Sequence, residues 1–309
     1  MSPTTDSSAT EALLHLDTAV LRSNLDRRPF GFDHVLHRLP LFEPQALHRL
    51  AERYVNAPQD YYVSGSSPEP GAAFYSGAAV NLRPHEALEQ LDCARYRILL
   101  KRMELFDPEF RELLHRVSSQ VIAACGGLGD ARLVRLESAL FITAAATITP
   151  FHYDPELNFF SQIEGEKVYH LYAPAAMSEQ ELESFYVRDV VDIAQVDLAS
   201  RERSYEHTFA LGPGKGLHQP QNSPHWVETS GSRSVSYVFV YETTATRAKG
   251  RVRAFNYYLR SMGLHPSIPG RHPGVDAAKA VTMRVMLPMR RQVSRVVGAR
   301  AGGGRPAAG

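Results

Sequence analysis

The hydrophobic pattern of the first part of the chain is helical. Apolar residues recur there every three or four positions, which is the spacing of one face of an amphipathic helix. The pattern predicts helices over the following ranges: 11–22, 44–54, 84–100 and 108–124. Residues 58–77 mix Pro, Gly and Ser and are expected to form a loop, and residues 1–10 a disordered start. We therefore predict that residues 1–128 form an N-terminal helical layer that leans on a sheet.

From Ala131 onward the pattern changes to alternation, in which every second residue is apolar. Alternation among β-branched and aromatic residues is typical of strands. Strands are predicted over these ranges: 133–142, 147–152, 158–163, 167–172, 204–211, 216–219, 226–229 and 234–241. Short strands separated by glycine turns, such as the turn at Gly165, indicate a double-sheet jelly roll. We therefore predict a mainly β fold with helical additions, whose core spans residues 129–245.

Three further segments interrupt or follow this core. Residues 177–197 are rich in Asp and Glu and are expected to form a solvated face, with a lid as the alternative. Residues 246–298 are expected to form C-terminal helices, the second of them interrupted at Pro288. These helices are predicted at 246–260 and 276–297. The tail, 299–309, is rich in Gly, Ala and Arg and is expected to be disordered.

Composition narrows the possible classes of function. The chain has 309 residues, is 44% hydrophobic and has a formal net charge of +1, so it can bury a large core and has no general attraction for nucleic acid or anionic membranes. No apolar run is long enough to span a bilayer. Two cysteines, Cys93 and Cys125, are too few for a disulfide framework, so a reducing, cytoplasmic compartment is expected. The C-terminal arginines are expected to be solvated rather than bound to nucleic acid: Arg290, Arg291, Arg295, Arg300 and Arg305.

The candidate chemistry lies in the segment Thr147–Asp154. His152 and Asp154 are two residues apart in a predicted strand, so both side chains project from the same face. A second histidine from a distant strand would complete a set of two imidazoles and one carboxylate, which leaves three coordination positions open and suits non-haem Fe(II). His225, within Pro220–Glu228, is the candidate for this histidine. A His-x-Asp pair alone also occurs by chance, and His152 would then be an ordinary strand histidine.

A longer motif surrounds this pair. The segment Thr149-Pro-x-His152-Tyr-Asp154-x-x-x-Asn158-x-Phe160-x-x-Ile163-x-Gly165-x-Lys167 resembles the JmjC oxygenases, most closely the asparaginyl hydroxylase branch and its bacterial cupin-like relatives. The spacing from His152 to Lys167 matches the family without a gap. The resemblance covers residues 130–245 well and the flanking regions loosely.

The second block of the family motif is also present, with departures. Gly214, Leu217, Pro220 and His225 keep the expected order. Lys215 stands where an acidic residue is usual, and His218-Gln219 stands where the strand is usually apolar. His218 is therefore an alternative distal ligand, but the position of Pro220, five residues before His225, favours His225.

The resemblance implies a cofactor, a cosubstrate and a reaction. Fe(II) would be held by His152, Asp154 and His225, with 2-oxoglutarate as cosubstrate and O2 as oxidant. Lys167 lies in a strand expected to face the interior, where an ammonium group requires an anion, and the distal carboxylate of 2-oxoglutarate would supply it. The implied reaction is hydroxylation of a C–H bond in a peptide or protein side chain, or in an amino-acid-like small molecule, with release of succinate and CO2. The resemblance also implies a homodimer formed through the C-terminal helices.

Four further residues receive roles from the same resemblance. Thr149 would share the distal carboxylate with Lys167. Asn158 and Phe160 have the same parity as the ligands and would form walls of the site. Ser236 falls near a position that contacts the cosubstrate in the asparaginyl hydroxylase.

Two other functions remain open at this point. A metal cupin of another reaction type, such as an isomerase or a dioxygenase without cosubstrate, has no 2-oxo acid to hold, so Lys167 with Thr149 argues against it. A non-catalytic regulator of the same family would be expected to have a damaged ligand set, whereas all three ligands are present. Demethylation fits less well than hydroxylation, because the match is to the hydroxylase branch. The substrate itself is not indicated by any motif.

Overall fold

The computed structural model describes residues 12–65, 69–72, 80–91, 93–188, 194–195 and 197–302. The chain divides into two compact units, one of Met1–Ala176 with Ile193–Tyr241 and the other of Met177–Asp192 with Glu242–Gly309. The expected disordered start lies outside the described residues, and so does most of the expected tail. Residues 299–302 belong instead to the last helix, because the Ala and Arg residues among them favour helix.

Two antiparallel sheets form the first unit. In chain order the strands are β1 (Leu14–His15), β2 (Phe30–His34), β3 (Tyr61–Ser64), β4 (Arg97–Lys101), β5 (Leu133–Thr143), β6 (Ile148–Tyr153), β7 (Leu157–Glu164), β8 (Lys167–Tyr172), β9 (Ala194–Gln195), β10 (Glu206–Leu211), β11 (Lys215–Gln219), β12 (His225–Thr229) and β13 (Ser234–Thr243). Among the described residues the larger sheet has the order β1-β2-β11-β7-β13-β5-β4-β3, and the smaller has the order β10-β8-β12-β6-β9. This is the jelly roll that the alternating pattern predicts.

The helices divide between the units. The first unit contains α1 (Thr18–Asn24), α2 (Pro44–Glu52), α3 (Pro84–Glu89), α4 (Met103–Phe106) and α5 (Pro108–Cys125). The second contains α6 (Glu179–Tyr186), α7 (Thr244–Ser261) and α8 (Pro273–Gly302). Over the part of the chain that the structure describes, none of them combines the length and apolarity that a membrane span requires.

All eight strands predicted after Ala131 are confirmed, each to within two residues at either end. The turn between β7 and β8 depends on Gly165, which has a φ of +68°. A Cβ atom at Gly165 would also lie 2.2 Å from the carbonyl oxygen of Arg233. Only glycine fits this turn, which determines where Lys167 enters the smaller sheet.

The N-terminal part of the chain is not a purely helical layer, because it supplies β1–β4 to the larger sheet. The helix predicted at 11–22 begins only at Thr18, because the Asp17 carboxylate accepts hydrogen bonds from the backbone N–H groups of Ala19 and Val20 and caps it there. The helix predicted at 84–100 ends at Glu89, and its last part is β4. The segment that forms β4 is a short apolar run, and so short a run has no hydrophobic period that distinguishes helix from strand. The loop expected at 58–77 likewise contains β3.

Alternate residues of the larger sheet face two different cores. One core lies between this sheet and the helices and includes Phe159 of β7 with Leu113 and Val117 of α5. The other lies between the two sheets and includes Phe160 of β7 with Tyr169 and Leu217. The interior of the jelly roll is therefore lined by the even-numbered positions of β7 and the odd-numbered positions of β8, β11 and β12.

The second unit corrects two expectations. The acidic helix α6 is not simply a solvated face, because its carboxylates accept paired hydrogen bonds from guanidinium groups of α7. Arg253 binds Glu179 at 3.0 Å, and Arg260 binds Glu183 at 2.7 and 3.0 Å. Helix α8 continues through Pro288, since proline removes one backbone hydrogen bond and the turns on both sides remain.

Candidate metal centre

A β-bulge brings the first metal-ligand segment into position. Where β6 pairs with β12, Thr149 lies opposite Val227 and His152 lies opposite His225. Strand β6 therefore has two residues, Pro150 and Phe151, opposite the single intervening residue of β12. Thr149 and His152 are three residues apart, yet the bulge turns both side chains toward the same interior cavity.

The three predicted ligands meet in this cavity. His152, Asp154 and His225 each offer an atom within 4.8 Å of the other two. Nε2 of His152 lies 3.9 Å from Oδ1 of Asp154, and Nε2 of His225 lies 3.9 Å from Oδ2 of the same carboxylate. The structure therefore joins two residues of one strand end with a histidine from a distant strand, as predicted.

Backbone carbonyl groups set the tautomer of each histidine. Nδ1 of His152 lies 2.7 Å from the carbonyl oxygen of Pro150, and Nδ1 of His225 lies 3.1 Å from that of Ser223. A carbonyl oxygen only accepts, so Nδ1 carries the proton in both rings and Nε2 keeps its lone pair. Both lone pairs face Asp154, which is the arrangement that metal-binding histidines show.

Burial keeps both imidazoles neutral. Desolvation lowers the pKa of His152 well below its usual value, and the adjacent His225 lowers it further. Desolvation also lowers the pKa of His225. Neutral imidazole is the form that coordinates a metal, so both histidines are ready to bind at neutral pH.

The spacing of the donors fits a divalent metal ion. Adjacent ligands on an octahedral ion, each about 2.0–2.2 Å from it, are separated by about 3 Å. One ligand atom from each residue lies within 4.8 Å of the other two, so the set would close by up to about 2 Å around a bound ion. Two imidazoles and one carboxylate occupy one face of such an ion and leave the opposite face open, as non-haem Fe(II) requires.

His218 is excluded as the distal ligand. Its Nδ1 lies 3.0 Å from the carbonyl oxygen of Asn158, and its Nε2 accepts a hydrogen bond from the backbone N–H of Asp26 at 3.2 Å. Its ring packs between Phe30 and Phe159 in the core on the helix side of the larger sheet, and burial lowers its pKa to about 3. Both ring nitrogens are satisfied, so His218 has a structural role.

Lys167 points into the same cavity as the ligands. Its side chain is 3% exposed, and its Nζ lies 5.6 Å from the ring of Phe160 and 5.8 Å from that of Phe141. Within the described part of the chain, no carboxylate lies within ion-pair distance of this Nζ. Burial, together with the positive charge of Arg97, lowers the pKa of Lys167 to about 7.

The cavity itself is small and mainly apolar. Its volume is about 60 Å³, and since about 10–15 Å³ of such volume holds one water, it accepts a ligand of several atoms. Its walls are formed by the following residues: Phe141, Thr149, His152, Asp154, Asn158, Phe160, Lys167, Tyr169, His225, Val227 and Val238. It therefore brings together the three ligands with Thr149, Asn158, Phe160 and Lys167.

Ser236 is placed differently from the other predicted site residues. Its hydroxyl donates to Oε1 of Gln162 at 2.8 Å, and it does not line the cavity. Asn158 lies on the cavity wall, and its Oδ1 is buried without a hydrogen-bond partner among the described residues. Asn158 therefore has an acceptor available for a ligand, whereas Ser236 is already engaged.

Sequence reasoning missed a second cavity, which adjoins the first. This charged groove has a volume of about 320 Å³, is open to solvent and shares Phe141, Asp154, Asn158 and Val238 with the metal cavity. Arg135 binds Glu156 on its wall and also Glu137 at 2.7 Å, and Arg102 pairs with Asp60. Asp60 and Arg102 come from residues 1–128, where a helical layer was expected. Arg135 and Glu137 come from β5, and Glu156 directly precedes β7.

Comparison with known proteins agrees with this architecture. The structure of YcfD from Escherichia coli, a ribosomal oxygenase in complex with cobalt and 2-oxoglutarate, is 17% identical with a TM-score of 0.50, over 90% of this chain and 68% of that one. A complex of YcfD with cobalt and succinic acid is 16% identical, with a TM-score of 0.47 over the same shares. Identity at this level shows the fold alone, so the asparaginyl hydroxylase branch stays a prediction. The model of the cupin-like domain matches residues 81–247, more than half of the sequence, and the chain therefore belongs to the cupin-like domain family.

Proposed function

We propose that this protein is an Fe(II)- and 2-oxoglutarate-dependent oxygenase that hydroxylates a C–H bond and releases succinate and CO2. One observation carries the proposal: one cavity is lined by a complete His-Asp-His set and by a buried lysine that has no carboxylate partner among the described residues. The cobalt and 2-oxoglutarate bound by YcfD, which has the same fold, support it.

His152, Asp154 and His225 would hold the metal. Bound iron would supply the redox chemistry through which O2 oxidises both the 2-oxo acid and the substrate. The protein contributes two imidazoles whose lone pairs are fixed by backbone carbonyl groups, and one carboxylate that faces both. With three protein ligands, a bound ion would keep further coordination positions for the cosubstrate and the oxidant.

Lys167 and Thr149 would bind the distal carboxylate of 2-oxoglutarate. A buried ammonium group is costly unless an anion accompanies it, and no residue of the described chain forms an ion pair with Nζ. The Thr149 hydroxyl lines the same space and can donate a second hydrogen bond. The rings of Phe141 and Phe160 beside Nζ exclude water and thereby strengthen the charge-assisted contact.

The substrate would enter through the charged groove. The groove opens to solvent and meets the metal cavity at Asp154 and Asn158, so a group in it would lie beside the proposed metal ligand Asp154. Its walls carry carboxylates and guanidinium groups, and its volume of about 320 Å³ is several times that of the metal cavity. We infer a polar substrate, either a peptide or protein side chain or an amino-acid-like molecule.

The two alternatives fit these features less well. A cupin without cosubstrate has no use for a buried cation opposite the metal ligands. A non-catalytic relative has no need to keep three ligand atoms within 4.8 Å of one another.

Anaerobic titration with Fe(II) and 2-oxoglutarate tests the proposal. The chelate has a weak visible charge-transfer band, which we expect for the parent protein and not for His152→Ala. A matched control is His218→Asn, which changes a buried histidine outside the cavity and should retain the band. Absence of the band in the parent, or its persistence in His152→Ala, would show that the proposed site is wrong.

A further inference from the structure

Gln219 is a buried polar residue at a position where the sequence pattern calls for an apolar one. It lies at the end of β11, opposite Asn158 of β7, and is fully buried. Gln219 and Leu217 are two residues apart on β11, so their side chains lie on the same face of the strand. The side chain of Gln219 therefore enters the interior between the two sheets, where Leu217 packs. A buried side-chain amide is costly unless its donors and acceptor are satisfied, so its partners indicate why it is there.

The hydrogen bonds of Gln219 determine its orientation. Its Oε1 accepts a hydrogen bond from the Tyr169 hydroxyl at 2.8 Å. Its Nε2 lies 3.5 Å from Oδ2 of Asp154 and 3.5 Å from the carbonyl oxygen of Ser223. The Asp154 carboxylate and the Ser223 carbonyl are both acceptors, so the amide NH2 group must face them. The amide oxygen Oε1 then faces the Tyr169 hydroxyl. Reversing the amide would place Oε1 against two acceptors and lose both of those contacts, whereas the Tyr169 hydroxyl can also accept from an NH2 group.

These contacts lead to two of the three metal ligands. Asp154 is itself a ligand. The carbonyl oxygen of Ser223 also accepts from Nδ1 of His225 at 3.1 Å, the contact that determines the tautomer of that histidine. The ring of Tyr169 stacks on the ring of His225, with centroids 5.1 Å apart and planes 17° from parallel. Tyr169 and Gln219 together therefore contact Asp154, His225 and the turn that precedes His225.

We propose that Gln219 is a positioning residue for the metal centre, held in place by the Tyr169 hydroxyl. It orients the Asp154 carboxylate toward both histidines and fixes the Ser223 carbonyl that His225 needs. The inference rests on the proposed function, because it requires that the three side chains bind a metal. Since the two Nε2 contacts are long, at 3.5 Å, we expect an effect at the lower end of the range for groups that support metal ligands, about tenfold in affinity.

Binding of Co(II) under anaerobic conditions tests this role without any need for activity. Gln219→Met keeps the length of the side chain and removes its hydrogen bonds, and we expect Co(II) to bind about tenfold more weakly with an altered visible absorption spectrum. Tyr169→Phe keeps the ring that stacks on His225 and removes only the hydroxyl, so a smaller loss is expected. The double variant should bind no more weakly than Gln219→Met alone, because the hydroxyl acts through the amide.

A control variant and a reference variant make the outcomes distinguishable. Tyr172→Phe removes a hydroxyl from the same strand that donates to Glu206 instead, so its Co(II) affinity should equal that of the parent. Unchanged Co(II) affinity and spectrum in Gln219→Met, with binding lost in His152→Ala, would overturn the positioning role and leave the metal site standing. Unchanged binding in His152→Ala would overturn the site itself. If Gln219→Met does not fold, Tyr169→Phe decides: an unchanged affinity refutes the role, and a loss supports it.

Discussion

The most informative single change is Lys167→Met, which removes the charge and keeps the length of the side chain. If Nζ binds the distal carboxylate, the variant loses one charge-assisted hydrogen bond, about 1.5–3 kcal/mol. This corresponds to a loss of about 10- to 150-fold in affinity for 2-oxoglutarate. Metal affinity should be unchanged, because Nζ lies beside the rings of Phe141 and Phe160 and makes no hydrogen bond or ion pair with the three described metal ligands.

The same change should stabilise the protein when no cosubstrate is bound. Burial lowers the pKa of Lys167 from 10.5 to about 7, which corresponds to a cost of about 5 kcal/mol below pH 7. Between pH 7 and 10.5 the unfolded chain binds more protons at this residue than the folded one, so the cost shrinks as the pH rises through this window. Lys167→Met removes it, and its gain in thermal stability over the parent should be largest near pH 7 and smallest near pH 10.

Proton uptake provides an independent reading of the same contact. At pH 8 the free Lys167 is mostly neutral, and an arriving carboxylate favours its charged form. Binding of 2-oxoglutarate at pH 8 should therefore be accompanied by the uptake of close to one proton. The affinity for 2-oxoglutarate should fall as the pH rises. Calorimetric titration of the metal-loaded protein in buffers of different ionisation enthalpy measures this uptake. If Lys167→Met bound 2-oxoglutarate as tightly as the parent, with the same proton uptake, the assignment of Nζ would be refuted.

Four further variants test the other assignments. His225→Ala should lose Fe(II) binding in an anaerobic titration, whereas His218→Phe should keep it. His218→Phe should instead lose about 1–3 kcal/mol of stability to denaturant, because the two backbone groups that bind the His218 ring are left unpaired. Loss of Fe(II) binding in His218→Phe, with binding kept in His225→Ala, would make His218 the ligand. Thr149→Val removes one hydroxyl without changing shape and should weaken 2-oxoglutarate binding by about tenfold, measured by calorimetry, so an unchanged affinity would exclude the contact. Ser236→Ala should leave that affinity unchanged and lower stability by about 1 kcal/mol, because its hydroxyl binds Gln162; a loss of affinity would return Ser236 to the cosubstrate site.

The alternation of side chains along a strand was sufficient to predict that His152 and Asp154 lie together. It placed His152 with Asp154, because a two-residue spacing on a regular strand end puts both side chains on one face. It could not place Thr149 beside them, because the two side chains share a face only through the bulge at Pro150 and Phe151. A bulge adds one residue to one strand, and the pairing partner that reveals it is far away in the sequence.

Other features depended on contacts that no local pattern encodes. The position of Pro220 favoured His225 over His218, but the choice is decided by the partners of their ring nitrogens, which come from Asp26, Asn158 and Ser223. The strand Arg97–Lys101 was expected to be helical, because a short buried apolar run has no usable period. Its misassignment also concealed the charged groove, whose wall includes Lys101. The polar pair His218-Gln219, in a strand that is usually apolar in the family, was the local signal of the support behind Asp154.

The central claim is that one cavity holds both the metal and the cosubstrate. A crystal structure of the protein with Mn(II) and 2-oxoglutarate, with the metal located by its anomalous scattering, tests it most directly. We predict one metal peak about 2.0–2.2 Å from Nε2 of His152, Nε2 of His225 and a carboxylate oxygen of Asp154, with the distal carboxylate of 2-oxoglutarate in contact with Nζ of Lys167. A metal peak away from these three atoms, or 2-oxoglutarate bound without contact to Lys167, would contradict the claim.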